Sequence, residues 1–347
     1  MLNATFRVSY RDDIKLFQTK LVKFWILAFF VFLILFPLIF DRYFIYLANL
    51  SGIAIIGTLG LNILVGNTGL ISLGHAAFVA IGAYTSALCI TRLNVPFVAS
   101  IPVAGVTAAL AGLIVAIPSL RLRGLYIAVT TFAFGFIVEH VIVRWDAVTG
   151  GPDGIALPPA SIAGLGLDTD RRFFYFLLVM VVVLTAFARN LFRTRIGRAF
   201  VAIRDHDISA QVMGIDLARY KILSFSVSSF YAGVAGALLA GYTKFITFEH
   251  FTLHLSIEYL AMIIVGGMGS ILGSIYGAVF MTFLPEGIRL ATDLVRDTYP
   301  LLTTRFAALT TVVNGLIIVL FLVFEPEGFY GRWKTIKAYW YNWPFTY

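Results

Sequence analysis

Few side chains in this sequence are spaced to do chemistry of their own. Holding nucleotide phosphates needs a backbone cradle and a lysine, and the 347-residue chain contains no GxxxxGK[ST] run. Gly267-Met268-Gly269 has the opening of a dinucleotide fingerprint. Its third glycine falls at 273, one residue late, and no acidic ribose ligand follows. Ion-coupled carriage needs ionisable groups at membrane depth, where they are costly enough to stand out. The candidates are Glu139 and His140, close to Arg144, and His75 directly after Gly74. Glu139 reads as an interfacial residue, and His75 as an orienting hydrogen-bonding group as readily as a transport residue. A lone histidine makes no metal site. The single Cys89 lies in an apolar segment, so it reads as a small buried hydrophobe with no disulfide partner. The expectation is a conduit without its own engine: no catalytic residue, no metal and no cofactor on this chain.

The elements that carry these residues are membrane spans. Residues 43–91 contain no Asp, Glu, Lys or Arg, and at their centre lies a Gly-rich run, GNTGLISLG, from Gly66 to Gly74. A crossing takes about 20 apolar residues, so the tract holds two crossings with this run at the turn between them. Dense glycine suits close backbone approach in a packed bundle. Broken backbone at that depth must be buried in protein or line a cavity, which points to a path through the membrane. The whole composition agrees: 60% hydrophobic residues, 13% charged residues and a mean hydropathy of +0.90 exclude one soluble core. The net charge of +8 clusters at segment ends, as topology rather than nucleic-acid binding requires.

Charge-poor tracts predict spans near 24–40, 44–65, 75–91, 96–118, 124–143, 173–188, 222–243, 256–267, 271–284 and 306–324. The two pieces flanking Gly266-Gly267-Met268-Gly269-Ser270 read either as half-length helices or as a crossing plus a re-entrant segment. The fold class is an all-α polytopic membrane protein of eight to ten helices. Lys and Arg in short flanking segments mark the cytoplasmic side. They place the N-terminal segment 1–23 inside (Arg7, Arg11, Lys15, Lys20, Lys23), together with the Arg121/Arg123 turn, the 189–221 loop and the tail 325–347. An even number of crossings puts both termini in the cytoplasm. The loops 144–172 and 285–305, with Asp146, Asp153, Asp168, Asp170, Glu286, Asp293 and Asp297, face outside. The first apolar segment lacks a small-residue cleavage site and reads as a retained span of the 24–324 membrane domain.

Two loops exceed the short connections elsewhere. The outer one carries Thr149 to Gly154, TGGPDG, turn formers that predict a compact bend rather than helix or strand. Gly150, Gly151, Pro152 and Asp153 are the candidate docking surface for something delivered from outside. The inner loop predicts a short helix with Ile208, Val212 and Ile215 on one face and Ala210 and Gly214 as a small-residue patch beside it. Asp205, Asp207 and Asp216 would be repelled by an anionic bilayer, so a protein partner fits better than the membrane surface.

GNTGLISLGHAAFVAIGAYTSAL (66–88), GLYIAVTTFAFGFIVEHV (124–141), TGGPDGI (149–155), IGRAFVAIRDHDISAQVMGID (196–216) and EYLAMIIVGGMGSILGSIYGAV (258–279) together resemble the LivM-type permeases of branched-chain amino acid ABC importers. The closely similar permeases of urea importers make urea or short amides the runner-up substrate. The resemblance implies a homologous LivH-type permease partner, two cytoplasmic ATPases that hold ATP and magnesium, a periplasmic binding protein and surrounding membrane lipid. It also implies that the inner loop is the coupling segment, with Arg204, Asp205, Ser209, Ala210 and Gly214 at the ATPases. That segment follows the pattern EAA, three residues, Gly. Ile208-Ser209-Ala210 stands in the EAA place with Gly214 at the matching distance, so the Glu and one Ala are replaced. The candidate path is Asn62, Asn67, Thr68, Ser72, His75 and Tyr84, with Gly266, Gly267 and Gly269 permitting close packing. G-x-x-G-x-I recurs at 66/69/71 and 266/269/271, an internal echo that pairs the two regions in parallel. A stand-alone neutral-solute channel has no use for the 33-residue basic inner loop, and an ion-coupled carrier lacks its buried charges.

Overall fold

The charge-free tract folds as two helices around a buried turn. The computed structural model describes residues 20–122, 124–162, 165–294, 306–325 and 327–342. Residues 1–19, with Arg7, Arg11 and Lys15, lie outside them, as do Arg123, Asp297 and the last five residues of the tail.

In chain order the helices are α1 (Lys20–Ile39), α2 (Arg42–Leu61), α3 (His75–Thr91), α4 (Phe97–Ser119), α5 (Leu125–Arg144), the single turn α6 (Asp146–Thr149) and α7 (Asp170–Arg193). They continue with α8 (Arg195–Asp205), α9 (Asp207–Val212), α10 (Leu217–Thr243), α11 (Leu253–Gly266), α12 (Ile271–Leu294), α13 (Phe306–Phe324) and α14 (Gly328–Asn342). A π-turn, Asn62–Gly66, prolongs α2. Among the described residues seven spans are long and apolar enough to cross a bilayer, α11 counting with the 3-10 turn before it; the stretch Lys23–Ile39 of α1 and the whole of α3 are shorter apolar helices, and α13 and α14 form a pair bent by 43°.

The core is built by α2, α3, α4 and α10, whose small residues let backbones touch. A Cβ built on Gly82 of α3 would lie 2.2 Å from the carbonyl oxygen of Gly233 on α10, so these two helices pack at glycine distance. Lipid-facing side chains surround this core. The exposed aromatics of α1, among them Phe24, Trp25 and Phe29, fit a hydrocarbon environment and would be costly in water. Tyr175 ties α1 to α7 by donating to the Ile34 carbonyl at 3.0 Å.

One end of the bundle gathers the turns 67–74 and 267–270 and the segment 194–216. The other gathers the short antiparallel pairs Ile155–Ala156 with Phe245–Ile246 and Ser161–Ile162 with Leu165–Gly166. Several predicted bounds move outward, because charged residues that find partners extend helices beyond their apolar runs. The span 271–284 continues through Pro285 to Leu294, so Glu286 belongs to α12 and not to an outer loop. It accepts hydrogen bonds from Tyr43 (2.5 Å) and Arg289 (2.6 Å). Residues 189–193 and 217–221 likewise belong to α7 and α10, which shortens the inner loop. The two ambiguous pieces resolve into the 14-residue α11, led by a 3-10 turn at Phe248–Phe251, and the 24-residue α12.

Candidate translocation and coupling site

The two glycine turns meet. Asn62, in the π-turn, donates through Nδ2 to the Ser270 carbonyl (2.9 Å) and accepts the Gly269 N–H on Oδ1 (2.7 Å). Asn67 Nδ2 donates to the Gly269 carbonyl at 3.3 Å. Glycine is required at the contact, since a Cβ on Gly66 would lie 1.9 Å from Asn62 Oδ1 and 2.4 Å from the Gly269 nitrogen. Both turns close a helix arriving from the same direction, α2 in one case and α11 in the other, as the parallel sequence echo implies.

From Gly69 the chain turns back into the bundle. Leu73 N–H donates to Thr131 Oγ1 (3.0 Å), and α3 then begins with Ala76 N–H donating to Ser256 Oγ (2.9 Å). His75 Nε2 donates to the Gly57 carbonyl at 3.0 Å, and its ring meets Tyr259 edge-on at 5.0 Å. Gly57 precedes Gly66 by about 14 Å of helix, so α3 starts near the middle of an apolar layer roughly 30 Å thick.

Of the predicted path residues, Asn62, Asn67, Thr68, Ser72, His75 and Tyr84 are each at most 5% exposed. Gly266 and Gly267 are buried and Gly269 partly so. Asn62 and Asn67 are spent on the staple, Thr68 donates to the Ile63 carbonyl and His75 holds Gly57, so these four are packed inside one subunit and do not face an open lumen. Ser72 Oγ, Tyr84 Oη and Asn67 Oδ1 have no hydrogen-bond partner among the described residues.

The inner segment reaches this staple directly. Arg204, in the last turn of α8, donates from Nη1 to the Gly66 carbonyl (2.9 Å) and pairs with Asp205 at 3.1 Å. A cation is favoured there, at the carbonyl end of a helix. The next helix, α9, ends in a Schellman motif: Ile215 N–H donates to the Ala210 carbonyl and Gly214 N–H to the Gln211 carbonyl, with Gly214 at φ +88°. That geometry accounts for glycine at 214 and corrects two expectations. Helix α9 stops at Val212, so Ile215 leaves the shared face and Met213 joins Ile208 and Val212 on the exposed surface. Ala210 is buried against its own chain, so no small-residue patch forms with Gly214. Ser209 and Gly214 are exposed.

At the opposite end, TGGPDG is more helical than its turn formers suggest. Asp146–Thr149 and Gly151–Asp153 are single helical turns, and Ile155–Ala156 is a short strand. Thr149 organises them, donating to the Ile142 carbonyl (2.6 Å) and accepting Gly151 N–H (3.2 Å). Gly150 and Gly151 turn inward, with φ +74° and +56°, and present Pro152 and Asp153 to the exterior. Arg92 braces the segment from α3 by donating to the carbonyls of Ala147 and Val148.

Sequence reasoning missed Thr131, Ser256, Tyr259 and Ser270 as partners of the turn. Each is an ordinary helix or turn residue 58 or more positions from its partner, and no local pattern marks it.

A bundle of apolar helices with re-entrant backbone at mid-depth and an apolar helix exposed at one end is a multi-pass membrane protein, and its family match makes it a permease of the inner membrane. Residues 43–322 match the family described as branched-chain amino acid transport system / permease component, and the chain belongs to that family. It is similar to the high-affinity branched-chain amino acid transport system permease protein LivM of Escherichia coli, 34% identical over 330 residues covering 88% of this chain and 74% of that protein. The LivM protein of Salmonella typhimurium matches with the same figures. The probable branched-chain amino acid transport permease protein LivH of Methanocaldococcus jannaschii is 25% identical over 299 residues, 83% of this chain and 91% of that protein. No solved structure matches the chain.

Proposed function

We propose that the chain is the LivM-type half of an ATP-driven importer for leucine, isoleucine and valine, paired with a homologous LivH-type half. Two ATPases bind ATP and magnesium on the cytoplasmic side, which is the basic end carrying Arg195, Arg198 and Arg204. A binding protein delivers solute to the opposite end, at Pro152 and Asp153. The observation that carries this reading is the Arg204–Gly66 hydrogen bond: the segment that would meet an ATPase is fastened to the broken end of α2. Closure of the ATPases would press on Ile208, Val212 and Met213 of α9, and α8 would pass the displacement through Arg204 to the stapled turns. Transport residues are then those on faces left open toward the second permease, with the staple as their support.

The test is uptake by vesicles holding this chain, its permease and ATPase partners and the binding protein, offered radiolabelled leucine or urea with and without ATP. ATP-dependent leucine uptake is expected. Urea uptake in its place would reassign the substrate, and ATP-independent flux would overturn the importer reading.

A further inference from the structure

Helix α5 is the least enclosed of the central spans, burying only Ile127, Ala128, Thr131 and Ile142 against the rest. Between it, the first turn of α3 and the start of α11 runs a narrow groove walled by Phe132, Phe136, Phe251 and Leu253, with Ala76 and Ala77 of α3 at its back. Glu139 lines the same groove. It is half-buried within a membrane span and makes no hydrogen bond or ion pair with any described residue. A carboxylate on the wall of a membrane span is uncommon, and such residues mark substrate or ion routes. The groove is also lined by Ala76 and Ala77 in the first turn of the 17-residue α3, the positive end of a helix that starts at mid-depth.

We propose that this groove is the transit site for the substrate's α-amino acid group, with Glu139 receiving its ammonium and the aromatic walls receiving its apolar side chain. The proposal rests on the branched-chain reading above and adds the contact that reading lacks. A carboxylate on one wall and a helix N-terminus on another match the two charges of a zwitterion. Phe132, Phe136, Phe251 and Leu253 suit leucine, isoleucine or valine and offer nothing to a second charge. The free volume is about 20 Å³, room for about one water and too little for leucine, so the groove is closed in this structure. Opening requires α5 to move away from α11, which its sparse burial permits. Gly135 faces this opening, since a Cβ built there would meet nothing within 4 Å.

The experiment uses the complete importer in vesicles with leucine-loaded binding protein, measuring leucine uptake and ATPase stimulation side by side. Glu139→Gln is expected to lower leucine uptake per ATP about tenfold, the effect of one lost charged hydrogen bond, while the binding protein still stimulates the ATPase. Glu139→Asp, which keeps the charge, should recover much of the uptake. Gly135→Leu should reproduce the transport defect by blocking the mouth of the groove, where a Cβ at this position meets no neighbour within 4 Å. Unchanged uptake in Glu139→Gln would overturn the proposal. So would equal losses of uptake and ATPase stimulation, which would assign Glu139 a structural role. A wild-type importer that carries urea and no leucine would overturn the branched-chain reading itself, and with it the ligand assigned to the groove.

Discussion

Replacing Asn62 with Ala separates a structural role for this residue from a place on the transport path. Its amide is 1% exposed and joins the two glycine turns through hydrogen bonds of 2.7 and 2.9 Å. Hydrogen bonds inside membrane proteins are worth about 0.6 kcal/mol on average and those in soluble cores up to about 1.5, so two of them set a loss of about 1 to 3 kcal/mol. The upper part of that range applies if the Gly269 N–H and Ser270 carbonyl find no new partner in the closed packing around them. The near-isosteric Asn62→Asp change should do no better. It keeps the acceptor for Gly269 but sets a carboxylate oxygen against the Ser270 carbonyl and buries a charge without a partner. The assay is reversible unfolding of the purified chain in mixed micelles on titration with a denaturing detergent. Asn62→Ala and Asn62→Asp should both unfold earlier, the aspartate at least as early as the alanine. A loss below about 0.5 kcal/mol in both, within the range of an unremarkable surface change, would refute the staple and return Asn62 to the path.

Three further outcomes follow from the proposed coupling role of α8 and α9. Arg204→Ala removes the donor to Gly66; in vesicles it should leave ATPase turnover in place and cut leucine uptake per ATP, and unchanged stoichiometry would exclude the link. Gly214→Arg forces a side chain into a left-handed backbone, at about 1 to 2 kcal/mol, and should loosen the end of α9. Uptake should fall while the protein still inserts and elutes as wild type, and Gly214→Ala should show the same effect more weakly. Ile208→Asp with Val212→Asp alters two exposed positions, so stability should change by less than about 1 kcal/mol. Co-purification of the ATPases should nevertheless be lost, and retained ATPase would move the docking site off α9.

The bundle was readable from the sequence because lipid imposes a simple rule on it: about 20 apolar residues, then charge or glycine. That rule located the turn at 66–74, and the G-x-x-G-x-I echo paired it with 266–271. It misjudged helix ends wherever a charge found a partner, as Glu286 does with Tyr43 and Arg289. Periodicity also carried α9 too far, because Ile215 continues the apolar spacing after Gly214 has reversed the backbone. Burial of Ala210 could not be foreseen, since it depends on where the segment folds against its own bundle. The role of Asn62 was hidden for a related reason: an amide beside a glycine run fits a wet path and a dry staple equally, and only its partner 207 residues away decides between them.

The staple also bears on how force could travel through the molecule. Helix α8 and the prolonged α2 are stiff, and they meet end to side at the Arg204–Gly66 contact. Beyond Gly66 the chain is a short re-entrant segment whose ends are held, by Asn62 and Asn67 through the second turn on one side and by Thr131, Ser256 and Gly57 on the other. Such a segment has little freedom to absorb a displacement, so a shift at Gly66 must move either the second turn or the first turn of α3. The second turn is backed by α14, since a Cβ on Gly267 would lie 2.7 Å from the Glu327 carbonyl oxygen and 3.1 Å from Tyr330 Cβ. The start of α3 is backed on one side only by the loosely enclosed α5 and the groove of Glu139. On the proposed reading, displacement entering at Arg204 would emerge at that groove, where an opening of a few ångströms would admit the substrate.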